Sequence, residues 1–264
     1  MDWATRPRND LAGLAAIVAG AGPTVVLVHG VGLRAEAWGA QIDALATAGF
    51  RVIAPDMPGH GGTPACAGMP DLAGFAARLA PALAAPAMVA GHSMGAMVAL
   101  ELARQHPDRV RGIAACNAIY RRSAAARAAV FARAGTLDGV SAPDPAGPLA
   151  RWFAASSPER DACERWLRAA DPAGYRAAYR LFAAADGPAD ATLAALPCPA
   201  LFMTGGDEPN STPAMSEAMA RLAPQGRAVV VAGAAHMMPM THADRVSAEL
   251  NAFARTCHAP DRRT

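Results

Sequence analysis

The sequence predicts a doubly wound α/β fold: a mostly parallel sheet with helices on both faces and a helical segment inserted late in the chain. Three observations carry this. Short, continuous apolar runs rich in β-branched residues read as strands buried on both faces, the segments between them have helical spacing, and the alternation stops between about Ile119 and Leu196. With 264 residues, 53% of them hydrophobic, the chain is long enough to bury one large core and carry an insertion.

The N-terminus carries Asp2, Arg6, Arg8 and Asp10 before an Ala/Gly-rich apolar stretch from Leu11 to Ala21. That stretch is too short and too glycine-rich for a membrane span, and it lacks the clearly charged start of a signal peptide, so a cytoplasmic protein with no membrane partner is expected. TVVLVHG (24–30) is the first clear core strand. AEAWGAQIDALATAG follows with Trp38, Ile42 and Leu45 on one helical face and Gly49 as its stop. RVIAP (51–55) is the next strand, and DMPGHG after it is a loop. Strand, helix and strand at this spacing imply parallel pairing.

After Pro70, DLAGFAARLAPALAA reads as a helix, AMVAGHS as a strand, MGAMVALELARQHP as a helix closing before Pro107, and RVRGIAACNA (109–118) as a strand. CPALFMTGG (198–206) and RAVVVAGAAH (227–236) are strands flanking the helix PAMSEAMARLAP, and ADRVSAELNAFARTC is the C-terminal helix. The expected core therefore comprises residues 1–118 and 197–264. Residues 119–196, with arginine and alanine at helical spacing, eight aromatic residues and a Pro/Gly-rich break at 141–148, are expected to form a helical cap.

Composition excludes several functions. The net charge is +2, the 24 basic residues are all arginine, and they are scattered, so no basic patch marks a nucleic-acid partner. Cys66, Cys116, Cys163, Cys198 and Cys257 are odd in number, widely spaced and without a CxxC, which argues against a disulfide framework or a zinc site. They read as buried, neutral thiols.

Chemistry enters at GHSMG (91–95), which interrupts an apolar run. It fits G-x-S-x-G between a strand and a helix, the setting of a nucleophile elbow that lifts Ser93 above the sheet. A Cβ at either glycine would strike neighbouring backbone in so tight a turn. A serine hydroxyl needs a base, itself oriented by a carboxylate, and in this arrangement the acid and then the histidine follow the serine in the chain. Of seven histidines, His29, His60, His92 and His106 precede or adjoin the elbow or close its helix, His258 lies in the tail, and His242 starts the last helix. His236 directly follows an apolar strand and is the candidate base. The loop after CPALFMTGG offers Asp207 and Glu208, of which only one is expected to reach the histidine, because sequence neighbours point in different directions. The oxyanion of an acyl intermediate needs N–H donors, expected from Met94 after the nucleophile and from Val31 in HGVG (29–32). The methionines of HMMPM (236–240) read as exposed, at an interface or at the cleft edge.

HGVG, APDMPGHGGT, GHSMG, TGGDEPNSTP and AAHMMPM occur in this order, and on them the chain resembles the α/β-hydrolase superfamily over nearly its whole length. The resemblance implies a serine hydrolase with no cofactor and a small-molecule substrate. Counting from Gly205 in the family's T-G-x-x-D pattern puts the acid at Glu208, before Pro209, where the family usually has aspartate; Asp207 is the alternative. RWF (151–153) and DPAGYRAAYRLFAAAD (171–186), with PCPALFMTG, are similar to 3-oxoadipate enol-lactonase and related small-ester hydrolases. This implies an ester or lactone substrate, with Trp152 lining the pocket and Arg34, or Arg121 and Arg122, binding a substrate carboxylate. The alternative is C–C hydrolysis of vinylogous diketones from aromatic ring fission, whose enzymes often have tryptophan where Met237 follows His236. A non-catalytic ligand-binding protein of the same fold is a third possibility. Haloperoxidase-like members usually carry a tryptophan near the oxyanion loop, a place Trp38 does not occupy. Epoxide hydrolases and haloalkane dehalogenases place aspartate at the nucleophile, so Ser93 excludes them.

Overall fold

A computed structural model of the chain describes residues 3–66, 68 and 71–259; Asp2 and Pro70 lie outside the described residues. The apolar runs become strands β1 (Asn9–Leu11), β2 (Leu14–Ala19), β3 (Thr24–Val28), β4 (Arg51–Pro55), β5 (Ala87–His92), β6 (Val110–Cys116), β7 (Ala200–Gly205) and β8 (Gly226–Val231). They form one eight-stranded sheet in the order β1-β2-β4-β3-β5-β6-β7-β8. From β4 to β8 along that order neighbours pair in parallel, and the β1–β2 hairpin adds an antiparallel edge.

Successive residues of a strand point to opposite faces, so each central strand must be apolar twice over. Val26, Val28, Ile53, Ala115 and Phe202 join one buried cluster, and Val25, Leu27, Val52, Ala114 and Leu201 join the other. The helices are α1 (Gly39–Thr47), α2 (Leu72–Ala77), α3 (Met94–Gln105), α4 (Ala124–Thr136), α5 (Ala146–Trp152), α6 (Pro158–Arg168), α7 (Pro172–Ala184), α8 (Asp190–Ala194), α9 (Pro213–Leu222), α10 (Met238–Thr241) and α11 (Ala243–His258). Residues of α2, α3 and α9 pack in the first cluster, and those of α1 and α11 in the second. Each Val, Leu or Phe fully buried between the layers stabilises the fold by about 1.5–3 kcal/mol.

Two helices differ from their sequence reading. The helix expected over DLAGFAARLAPALAA is cut: α2 ends at Ala77, and a 3-10 turn at Ala80–Leu83 follows because Pro81 has no N–H to continue an α-helix. The segment before α1 begins as a 3-10 turn at Ala35–Trp38, and α1 then stops at Gly49 as expected. There Gly49 (φ 90°) donates to Ala46 O at 3.1 Å and Phe50 to Leu45 O at 3.1 Å, a Schellman closure that the missing Cβ permits.

The sequence assigns no element to the Leu11–Ala21 stretch. It crosses the turn of the β1–β2 hairpin, and β2 pairs with β4. The turn places Ala12 (φ 54°) and Gly13 (φ 86°) both in the left-handed region, as a two-residue type I′ hairpin requires. Alanine is unusual there, so no Asn-Gly signal marked the turn.

Five helices, α4 to α8, are inserted between β6 and β7. Their starts carry capping chemistry: Ser123 accepts from Ala126 N–H at 3.2 Å, Ser157 from Arg160 N–H at 3.2 Å, and Asp171 from Ala173 N–H at 3.0 Å. Pro158 and Pro172 occupy the first helical turn, where their missing N–H costs nothing. These helices share a third buried cluster, including Leu149, Trp166, Leu167 and Tyr175, with Trp3 and Leu33.

The HMMPM methionines are not exposed. Met237, Met238 and Met240 are buried: Met238 packs in the cluster of α1 and α11, and Met237 and Met240 pack in the third cluster. Cys116, Cys163, Cys198 and Cys257 are buried, and Cys66 is partly so. Burial pushes the thiols of Cys116 and Cys257 up to about 12 and that of Cys198 to about 11, so they stay protonated and inert at neutral pH. Among the described residues no helix is long and apolar enough to cross a membrane.

Candidate active site

Parallel pairing brings the loops that follow β3, β5, β6, β7 and β8 to one edge of the sheet. The chain passes from β3 to β4 on one side and returns to β5 on the other, so the crevice above β3 and β5 is the topological switch point where α/β sheets bind ligands. Ser93 stands there, one residue past β5. Its N–H donates to Cys116 O at 2.8 Å, and its backbone takes φ 56°, a left-handed conformation that a non-glycine residue adopts only under strain. A Cβ on Gly91 would lie 2.0 Å from Gly95 O, and one on Gly95 would lie 2.2 Å from Val28 O. Both glycines of GHSMG are therefore sterically required.

His236, in the loop after β8, donates from Nδ1 to Oε2 of Glu208 at 2.6 Å. Glu208 is buried, and its Oε1 accepts from the N–H groups of Asn210 at 2.7 Å and Ser211 at 3.3 Å. Burial alone would raise its carboxyl pKa, but His236 and the two backbone donors outweigh that and hold it at about 2. Asp207 is exposed, and only its backbone is engaged, donating to Ala234 O at 2.9 Å. Of the two adjacent carboxylates, the structure brings Glu208 to the histidine and leaves Asp207 in solvent.

Two residues that the sequence did not single out hold the histidine's backbone. Asn117 Nδ2 donates to His236 O at 2.7 Å, while its Oδ1 accepts from Gly205 N–H at 3.3 Å, so one side chain ties the end of β6 to both the acid loop and the base loop. Asn117 sits at φ 49°, which asparagine tolerates. His92 Nε2–H donates to the same carbonyl at 2.7 Å. Its full burial, with His236 beside it, lowers its pKa to about 3, so it remains a neutral donor.

Two more buried histidines shape HGVG. His29 donates from Nδ1 to Gly30 O at 2.8 Å and accepts at Nε2 from Met57 N–H at 2.9 Å. His60 donates from Nδ1 to Pro58 O at 3.1 Å and accepts at Nε2 from Gly32 N–H at 3.0 Å. Burial lowers both pKa values, that of His29 to about 3, so both are neutral struts. Leu33 N–H closes the turn on Gly30 O at 3.2 Å, whereas Val31 N–H has no partner among the described residues. Met94, as the first residue of α3, likewise presents an N–H outside the helical ladder.

These groups face a cavity of about 560 Å³ lined by Ser93, His236, Val31 and side chains of α4, α5 and α7. The Trp152 ring stacks on His236 with centroids 5.8 Å apart and planes 19° apart. Arg122 lines the cavity, but Arg34 does not. Arg34 binds Glu36 at 2.8 Å, at the rim of a buried network in which Arg8 bridges Glu36 (2.7 Å) and Asp56 (2.8 Å). Arg121 points outward and pairs with Asp190.

Residues 25–249 match the family described as Alpha/beta hydrolase family. The chain belongs to the alpha/beta hydrolase family. This alpha/beta hydrolase is 39% identical over 249 residues to the (E)-2-((N-methylformamido)methylene)succinate hydrolase of Acinetobacter baylyi, a match covering 90% of this chain and 92% of that one. Its structure resembles a thermophilic esterase from Thermogutta terrifontis solved with malate bound (31% identity, TM-score 0.84, 93% of this chain and 94% of that one). The enol-lactonase of Burkholderia xenovorans shares the fold (24% identity, TM-score 0.79, 94% and 99% covered). The alpha/beta hydrolase is thus an enzyme with esterase-like relatives and a small-molecule substrate.

Proposed function

We propose that the protein is a serine hydrolase of small carboxylic esters or lactones, working through an acyl-enzyme under a cap formed by residues 119–196. The observation that carries this reading is the Glu208–His236 pair, 2.6 Å apart, facing the cavity into which the strained Ser93 also opens. Ser93 Oγ adds to the substrate carbonyl while His236 takes its proton, and Glu208 stabilises the imidazolium. The oxyanion is held by the N–H groups of Val31 and Met94. Collapse expels the alcohol, or opens the lactone, with the proton returned from His236. Water, deprotonated by His236, then adds to the acyl-enzyme, and its collapse releases the acid and restores Ser93.

A second reading, cleavage of an acyl–nitrogen bond by the same steps, is favoured by the A. baylyi relative, whose name gives a formamido group. The test is labelling with a fluorophosphonate probe, together with turnover of short p-nitrophenyl esters, simple lactones and N-formyl amides. Wild type should label and Ser93→Ala should not, with a loss of turnover of roughly 10⁶-fold. Undiminished labelling of Ser93→Ala would overturn the reading, and the preferred class in the panel separates oxygen from nitrogen leaving groups.

A further inference from the structure

The cavity above Ser93 carries Arg122, Arg133 and Arg151, and no Asp or Glu is among the described residues that line it. The three arginines are not equivalent. Arg122 is already engaged: its guanidinium donates to the carbonyls of Phe182 and Ala185, stacks 4.4 Å from the Phe182 ring and lies 3.8 Å from Asp186. Arg133, on α4, forms no ion pair among the described residues. Its Nε is buried without a hydrogen-bond partner, and its guanidinium is steadied by the Tyr179 ring at 5.4 Å and Tyr175 Oη at 3.5 Å.

Arg151, on α5, has no carboxylate partner among the described residues either, and its tip lies near that of Arg133. A Cβ built on Gly147 would lie 3.0 Å from Nη1 of Arg133 and 3.6 Å from Nη1 of Arg151. Both guanidinium tips thus approach Gly147 at the cavity wall, and among the described residues neither is paired with a carboxylate. A buried donor without a partner is costly, and an anion entering from the cavity would satisfy the Arg133 Nε with Arg151 close enough to share it.

We infer that Arg133 and Arg151 form a carboxylate clamp, and that the substrate is a short acyl compound with a free carboxylate at the end away from the scissile bond. The inference rests on the hydrolase reading for what happens at Ser93, but not for what binds at the arginines. Guanidinium groups suit this task because their planar N–H forks match a carboxylate and stay charged at every working pH. The reacting carbonyl sits over Ser93 and the carboxylate at the cap, so the clamp sets the orientation in which a half-ester or lactone acid enters.

The test has two arms. Calorimetry compares the binding of succinate and neutral succinamide to wild type, Arg133→Gln, Arg151→Gln and, as a surface control on α7, Arg180→Gln. Kinetics compares monomethyl succinate with dimethyl succinate. Succinate should bind wild type and Arg180→Gln alike, and lose roughly 10- to 100-fold in affinity with either clamp substitution, while succinamide binds none of them measurably. KM for monomethyl succinate should rise by a similar factor with kcat kept, and dimethyl succinate should be unaffected. Arg151 is exposed, so Arg151→Gln reports on binding without endangering the fold. Succinate binding equal in wild type and Arg151→Gln, or no succinate binding at all, overturns the clamp. Arginine-dependent succinate binding with neither an ester nor an N-formyl amide turned over upholds the clamp and overturns the hydrolase reading; turnover of both esters without preference does the reverse.

Discussion

On the sheet side of the cavity, Glu208 accepts three hydrogen bonds and His236 is held at its ring by Glu208 and at its carbonyl by Asn117 and His92. On the side of the inserted helices, and among the described residues, Arg133 keeps a buried Nε without a partner, and Arg151 lines the same cavity with no carboxylate partner. The first wall is electrostatically complete before any ligand arrives, and the second is not. Complete networks hold reacting groups in place, which catalysis needs; open charges wait for a complementary group, which is how a site discriminates.

Four substitutions on the sheet side probe that completeness. Glu208→Gln should cost the most, lowering kcat/KM by roughly 10³- to 10⁴-fold while leaving substrate binding at the cap intact, measured by steady-state kinetics beside succinate calorimetry. Arg8→Met acts on stability: it leaves Arg34 as the one ion-pair partner of Glu36 among the described residues and leaves buried Asp56 with backbone donors but no cation, and urea denaturation should show a loss of about 3 kcal/mol. Asn117→Ala removes one of two donors to the His236 carbonyl and should lower kcat about tenfold with KM unchanged, distinguishing positioning from binding. Asp207→Asn should stay within about twofold of wild type, as an exposed residue with no side-chain partner.

The comparison also has a pH form. Glu208 is held at about 2 in the folded protein, below the ordinary carboxylate value of about 4.3 in the unfolded chain. A depressed folded value means that its stabilisation is fully present above the unfolded value and is lost as pH falls from there toward 2. The urea midpoint of wild type should therefore drop more steeply between pH 5 and pH 2 than that of Glu208→Gln. Parallel slopes would show that Glu208 is not the ionised partner of His236.

The alternation of buried runs and helical spacing exposed six parallel strands and the elbow, because a strand covered on both faces has to be apolar throughout. The hairpin at Asn9–Ala19 stayed hidden because Ala12 occupies a position where turns usually advertise themselves with asparagine or glycine. Chain order singled out Ser93 and His236 as candidates, and the structure sets both on one cavity with Val31. The choice between Asp207 and Glu208 was not legible, since it depends on which neighbour turns inward after Gly205. Asn117 and His92 carried a faint signal as polar residues at the ends of buried strands, without any pattern to say what they hold. The clamp was least legible: Arg133 and Arg151 lie on separate helices of an arginine-rich insertion, and only packing against Gly147 brings their tips together. Of the arginines offered by the sequence, Arg34 is held by Glu36, Arg121 by Asp190, and Arg122 lines the cavity.

Arg8 precedes the first strand, yet its guanidinium reaches Asp56, whose Oδ1 also accepts from Ala35 N–H at 2.9 Å and whose Oδ2 accepts from Gly62 N–H at 2.9 Å. The leading residues thus clasp the segments that follow HGVG and PGHG, on which the candidate oxyanion donor depends. For anyone trimming the protein or fusing a partner to its front, a chain begun at Asp10 would retain every proposed site residue and still forfeit the clasp. The working unit of this enzyme reaches back to Arg8, ahead of the first strand of its sheet.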